Sequence, residues 1–148
     1  MNIYLASDHA GFELKAELVS YLLEKGHQAI DCGAGQYDEG DDYTDWIPKA
    51  VREVLVDEGS LGIILGGSGE GEAIAANRFK GIRATVYYGG NKDILKLSRE
   101  HNDANVLSLG ARFISSTEAK EAVDSWLAAS FTHEERHERR NTALDYLN

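Results

Sequence analysis

A single cysteine and a single proline in 148 residues rule out several ways of building a protein. The lone Cys32 cannot close an internal disulfide, and without cysteine pairs there is no thiolate zinc motif. No apolar run approaches the roughly 20 residues needed to span a bilayer. No basic segment followed by a long apolar stretch precedes the strand-like Ile3–Ala6, so the sequence predicts a cytoplasmic protein. Positive charge is also scarce. Fifteen Lys and Arg stand against 25 Asp and Glu, and the resulting formal charge of -10 repels nucleic acid and anionic membranes. An anionic small molecule then needs a local basic patch. One stretch supplies it, His133–Arg140, reading His-Glu-Glu-Arg-His-Glu-Arg-Arg.

What is present is the pattern of a compact chain. Hydrophobic residues make up 43%, and the length suits one core, so a single domain over residues 1–148 is expected. Apolar runs rich in β-branched residues at Ile3–Ala6, Ala29–Cys32, Leu61–Leu65, Ala84–Tyr88 and Val106–Leu109 read as five buried strands. Between the first two, Leu14, Leu18 and Leu22 recur every four residues among charged neighbours, and Gly26 is a suitable stop: an amphipathic helix. Further helical patterns cover 43–56, 72–79, 92–100 and 117–128, with Pro48 tolerable only in a first turn. From about residue 130 the chain turns polar and basic and ends in a tail helix expected to pack on a partner. Cys32, at the end of a strand, reads as a small buried side chain. Alternating strands and helices predict an α/β fold, a five-stranded parallel sheet with helices on both faces and ligands at the carboxyl ends of the strands.

The residues able to do chemistry sit on the loops such a fold would place there. Ser7-Asp8-His9-Ala10-Gly11 follows the first strand, and its Asp or Ser could equally cap the helix. Gly66-Gly67-Ser68-Gly69-Glu70-Gly71-Glu72 follows the third strand and offers backbone N–H groups at a helix start, an anion cradle. It lacks the Lys-Ser/Thr of a P-loop and the position and spacing of a dinucleotide fingerprint. Glu72 is in reach of whatever the cradle holds; it is either a general base or a first-turn acid complementing the helix dipole. Ser98-Arg99-Glu100-His101-Asn102-Asp103-Ala104-Asn105 precedes the fifth strand, where the Asn and Asp residues are ordinary turn formers, and Gly110-Ala111-Arg112 follows it. In the tail, Arg136 and Arg140 share a helix face and suit a phosphate, unless Glu134, Glu135 and Glu138 merely pair with them. His9, His101 and His137 lack the spacing of a local metal motif.

Together these segments, Ser-Asp-His-Ala-Gly-Phe-Glu-Leu-Lys, Gly-Gly-Ser-Gly-Glu-Gly-Glu-Ala-Ile-Ala-Ala-Asn, Lys-Gly-Ile-Arg-Ala, Ser-Arg-Glu-His-Asn-Asp-Ala-Asn-Val-Leu and Arg-His-Glu-Arg-Arg, closely resemble the ribose-5-phosphate isomerase B family, which includes galactose-6-phosphate isomerase subunits. The resemblance runs from Met1 to about Arg140. It implies a Rossmann-like sheet and a homodimer, with tetramers left open, whose active sites lie at the subunit interface beside the tail. It also implies interconversion of ribose 5-phosphate and ribulose 5-phosphate through an enediolate, with no cofactor and no metal. On that resemblance, Asp8 and His101 look like the ring-opening pair. His9, Arg112, Arg136, His137 and Arg140 look like phosphate binders. Gly67, Ser68, Gly69 and Gly71 look like the oxyanion cradle, with Ser68 either relaying a proton or serving as a turn donor, and Asn102 joins the substrate-binding set. Many members carry a catalytic Cys where this chain has Gly66. A subgroup similar to the mycobacterial enzymes has Gly there and Glu at the position of Glu72, so Glu72 is the expected base. Erythrulose 4-phosphate, allose 6-phosphate or galactose 6-phosphate are alternative substrates. A non-catalytic sugar-phosphate binder is the alternative of another class, and it gains nothing from a carboxylate facing an anion cradle.

Overall fold

The computed structural model describes residues 1–147. Five parallel strands form one sheet, β1 (Asn2–Ser7), β2 (Gln28–Asp31), β3 (Leu61–Gly66), β4 (Ala84–Tyr87) and β5 (Val106–Gly110), in the order β2-β1-β3-β5-β4. Six α-helices accompany it: α1 (Phe12–Glu24), α2 (Tyr43–Val56), α3 (Glu70–Ala76), α4 (Asp93–Asn102), α5 (Ser116–Ala128) and α6 (Glu135–Leu144). A short 3-10 turn, His9–Gly11, joins β1 to α1. No helix among the described residues is long and apolar enough to cross a membrane.

Alternation along the strands divides the core between the two faces. Ile3 and Leu5 of β1 point to one side, into a core they share with Leu14, Leu18 and Leu22 of α1, Leu95 of α4 and Trp126 of α5. Tyr4 and Ala6 point to the other, into a core they share with Ile47, Ala50, Val51 and Val54 of α2 and Ala76 of α3. The spacing of Leu14, Leu18 and Leu22 therefore laid one helix stripe onto one face of the sheet, as periodicity predicts.

Two expectations need correction. Only β3 and β5 are buried throughout, with β1 buried from Ile3 onward; β2 and β4 are the sheet edges, and β2 is largely exposed. The error has a physical origin, because a four-residue apolar run reads alike in a central strand and in an edge strand covered on one side. Pro48 is the sixth residue of α2, in its second turn rather than its first. It removes the N–H that Thr44 would otherwise receive, and the apolar packing of Ile47, Ala50 and Val51 carries the helix through.

The chain steps from β1 outward to β2, then returns past β1 to β3. The strand order therefore reverses between β1 and β3, the place where an open α/β sheet leaves a crevice at its carboxyl edge. Ser7 is in register with Leu65, and Gly66 with Gly110. The loops that begin at Asp8, Gly67 and Ala111 thus leave the sheet side by side.

Candidate active site

Glu72 is the third residue of α3, and helical side chains lean toward the helix N-terminus, so it reaches back over the end of β3. It is 4% exposed. Its carboxylate fills the space beside Gly66 so completely that a Cβ built on Gly66 falls inside it. Burial pushes the Glu72 carboxyl above the ordinary glutamate range, its own backbone N–H pulls it down, and the nearby Asp8 charge raises it further. Glu70, two residues earlier, is exposed and faces away.

The glycine-rich turn is locked to its neighbours. Gly69 has φ +81° and packs so tightly on the end of β5 that a Cβ would stand 3.0 Å from the Leu109 carbonyl carbon. The buried Ser108 hydroxyl donates to the Gly69 carbonyl at 2.6 Å. Ala111 N–H donates to the Gly66 carbonyl at 2.9 Å and Arg112 N–H to the Gly67 carbonyl at 3.1 Å, so the loop after β5 clasps the loop after β3. The Arg112 guanidinium lies over Gly67. Ser68 Oγ accepts from Glu70 N–H at 3.3 Å, a turn contact that leaves its hydroxyl proton free to donate.

Asp8 is 7% exposed and accepts from Ala10 N–H at 3.0 Å. It caps the turn and faces the Glu72 side at once, so the capping and site readings do not exclude each other. His9 Nδ1 lies 2.8 Å from Asp41 Oδ1. Asp8, His9 and Asp41 form a group of three potential metal ligands, with one donor atom from each within 4.8 Å of the others. Both Asp41 oxygens already accept N–H donors, so hydrogen bonding accounts for the cluster.

The remaining sequence candidates gather elsewhere. His101 and Asn102 end α4, at the opposite, amino edge of the sheet, just before β5 begins. The five residues of β5 span roughly 15 Å between the two edges. His101 stacks on His137 of α6, ring centroids 4.3 Å apart and 13° from parallel. His137 is 5% exposed, and its Nε2 has no hydrogen-bond partner among the described residues. Burial holds its imidazole below the usual histidine range, helped by His101 and the adjoining arginines. Arg136 and Arg140 are exposed on the outer side of α6, Arg136 leaning on Glu134 at 3.0 Å. One chain therefore keeps the sequence candidates in two separate groups: Asp8, His9, Glu72, Arg112 and the glycine turn at the carboxyl edge, and His101, Asn102, Arg136, His137 and Arg140 at the amino edge. A cavity of about 770 Å³ adjoins the second, lined by Arg78, Arg83, Asn102 and residues near the chain end.

Sequence reasoning missed Asp41, Trp46 and Tyr43. Tyr43 packs its ring against Gly71, where a Cβ would stand 2.9 Å from it. Asp41 lies in the one Gly- and Asp-rich loop, a composition that signals a turn and nothing more. Cys32 is only half-buried, and burial pushes its thiol up to about 11, an unreactive state.

A buried carboxylate beside a glycine-rich anion turn, on the carboxyl edge of an open parallel sheet, defines an α/β protein equipped for proton transfer on an anionic ligand. Comparison with known proteins narrows the class. Residues 3–144 match the Ribose/Galactose Isomerase family, and the chain belongs to that family. Ribose-5-phosphate isomerase B of Mycolicibacterium paratuberculosis is 44% identical over 140 residues, covering 95% of this chain and 87% of that protein. The Escherichia coli protein of the same name is 40% identical over 142 residues, covering 96% and 93%. Among solved structures, ribose 5-phosphate isomerase B of Thermotoga maritima superposes with TM-score 0.91 at 42% identity, covering 99% of this chain and 98% of that one. The Mycoplasma genitalium enzyme with bound ribulose 5-phosphate superposes with TM-score 0.92 at 35% identity, covering 98% and 94%.

Proposed function

We propose that this chain interconverts ribose 5-phosphate and ribulose 5-phosphate, with Glu72 as the base, in a site completed by a second copy of the chain. The observation that carries the mechanism is the overlap of the Glu72 carboxylate with the side-chain space of residue 66. Only glycine at 66 leaves room for a carboxylate there, so residue 66 and Glu72 share one position for one proton-transfer group. The names of the similar proteins, and the bound ribulose 5-phosphate of one of them, support the substrate.

In the forward direction Glu72 takes the proton from C2 of the open-chain aldose and returns it to C1, while the hydroxyl proton passes from O2 to O1. Negative charge develops on oxygen in between, and the backbone N–H groups of Gly67–Gly71 stabilise it without reorganising; removing one such donor commonly costs about 3 kcal/mol. Ser68, with its hydroxyl proton free, would shuttle between the two oxygens. A base with its carboxyl raised by burial holds the proton more firmly than a solvated one, and so removes it from carbon more readily once ionised.

Ring opening needs Asp8 and His101 together, and phosphate binding needs His9 and Arg112 together with Arg136, His137 and Arg140. The half-sites lie at opposite edges of one sheet, and a two-fold dimer would bring the carboxyl edge of each copy against the amino edge of the other. His137 Nε2, which makes no hydrogen bond among the described residues and has only the Glu134 carboxylate near it at 3.8 Å, and the exposed Arg136 and Arg140 would then be donors to the phosphate held by the partner.

Comparison of kcat/KM across four-, five- and six-carbon sugar phosphates tests the substrate, with ribose 5-phosphate expected to lead; a six-carbon substrate in first place would overturn the choice. Two variants test the site. Gly66→Ala should leave a folded protein with at least a hundredfold lower kcat, because the new methyl displaces the Glu72 carboxylate; the scale is about that of losing a general base. Arg136→Ala should raise KM roughly tenfold or more while changing kcat little, since phosphate is held in ground and transition states alike.

A further inference from the structure

We propose that Asp41 is a positioning residue for phosphate binding, its carboxylate holding His9 by backbone and ring so that Nε2 is presented to the ligand. The inference rests on the assignment of His9 to the substrate phosphate.

Asp41 lies between β2 and α2, far from His9 in sequence, yet its Oδ1 accepts the His9 backbone N–H at 3.0 Å and lies 2.8 Å from His9 Nδ1. Its Oδ2 accepts the indole N–H of Trp46 at 2.9 Å. Trp46 is itself wedged over Gly33, where a Cβ would meet its ring at 2.5 Å. The Asp41 side chain is 7% exposed and that of His9 24%. Three N–H donors on two oxygens fix the carboxylate in both position and direction. An ionised carboxylate has no proton to give, so Nδ1 must be the donor, and the other ring nitrogen points away from Asp41 toward the open edge.

Charge acts in the same direction. Asp41 hydrogen bonding raises the His9 imidazole above the usual histidine range; burial opposes it, the neighbouring Asp8 adds to it, and Arg112 from the loop after β5 subtracts from it. Burial alone would raise Asp41, yet the His9 and Trp46 donors bring it below the usual carboxylate range. Tyr37, edge-on to the His9 ring at 6.4 Å, adds no charge. The protonated ring is thereby favoured, and in that form its Nε2–H donates to phosphate in a charge-assisted bond, roughly twice as strong as a neutral one. Against Glu72 the separation of roles is clear: one buried carboxylate acts on carbon, the other on a histidine.

Asp41→Asn preserves shape, removes the charge and sets an amide N–H against the Trp46 N–H. Kinetics with ribose 5-phosphate, in the native sequence and in a His9→Ala background, should show KM rising about tenfold near neutral pH with kcat little changed. Removing Asp41 lowers the His9 value, so the two proteins differ while His9 is charged in one and neutral in the other. The KM gap should therefore shrink toward acid, where both are protonated. In the His9→Ala background Asp41→Asn should add nothing. An unchanged KM, or an equal rise in both backgrounds, makes Asp41 a strut for its loop and overturns the proposal. If His9→Ala alone leaves KM unaltered, the phosphate assignment fails instead, and is seen to fail separately. Nitrogen-15 NMR of the unsubstituted protein gives a second reading: His9 should show a protonated Nδ1 with a titration midpoint above the ordinary range, and a neutral Nε2–H tautomer at neutral pH overturns the proposal as firmly.

Discussion

Glu72→Gln should lower kcat for ribose 5-phosphate by about a thousandfold while leaving KM within a few-fold, the signature of a lost general base in an intact binding site. Gln has the shape of Glu and still fits beside Gly66, but it cannot accept the C2 proton. The same substitution should make the protein more stable at neutral pH. The Glu72 carboxyl is raised in the folded state, chiefly by burial and also by Asp8, so folding disfavours its charged form. A group raised on folding favours the fold fully below its unfolded value, and that advantage is lost as pH rises through the folded value. Above both, native Glu72 carries a cost that Gln does not. The variant should therefore melt higher than the native protein at neutral pH, and the difference should vanish on acidification below the ordinary glutamate range. Near-native turnover, or a loss of activity accompanied by lower stability at neutral pH, would count against Glu72 as base. The pH profile offers a further check, since kcat/KM should fall on the acid side at a midpoint above that of an ordinary glutamate.

The combination of a stability cost and a proposed catalytic gain in one side chain explains why local sequence rules mislead at this position. Glu in a first turn is a common complement to the helix dipole, and Glu70 at the start of α3 fits that reading. Glu72 shares the helix and the residue type, but it is buried and faces a neighbouring acid. What separates them is the glycine at 66, visible in the sequence but meaningful only once β3 and α3 are known to fold back on each other. The elements themselves were legible wherever periodicity was sustained. α2 spans Tyr43–Val56 as its apolar spacing predicts, and Leu14, Leu18 and Leu22 face the core as a stripe. Strand order was not legible, because insertion of β5 between β3 and β4 depends on long-range pairing. That same order puts Asp8, Gly67 and Ala111 on adjacent loops. The contacts of Asp41 with His9 and of Tyr43 with Gly71 join residues about 30 apart, and no local pattern encodes them.

The separation of the half-sites leads to a result that no arrangement within one chain would give. Glu72→Gln removes the proposed base at the carboxyl edge, and His101→Asn removes the imidazole proposed for ring opening at the amino edge; on that proposal each alone should give a dimer with both sites damaged. In a mixed dimer of the proposed kind, each site would take its carboxyl edge from one copy and its amino edge from the other. One site then collects both substitutions, and the other collects neither. Random exchange of equal amounts places half the dimers in the mixed form, so mixing two nearly inactive proteins should restore about a quarter of native activity. The gain should appear only after the subunits have exchanged, for instance by refolding them together, and should be absent when the proteins are simply combined below the exchange temperature. If both residues acted within one chain, every site in every mixture would lack one of them, and activity would stay at the level of the separate variants. Arg136→Ala paired with Glu72→Gln should also complement when read as kcat/KM at low substrate, where the Arg136→Ala defect shows, because Arg136 lies with His101 at the amino edge of the chain. Arg112→Ala paired with Glu72→Gln should also regain activity only if those two residues act in different copies, and since both lie at the carboxyl edge, no recovery is expected. The pattern across the three pairs assigns each residue to its half-site without reference to any contact between the subunits.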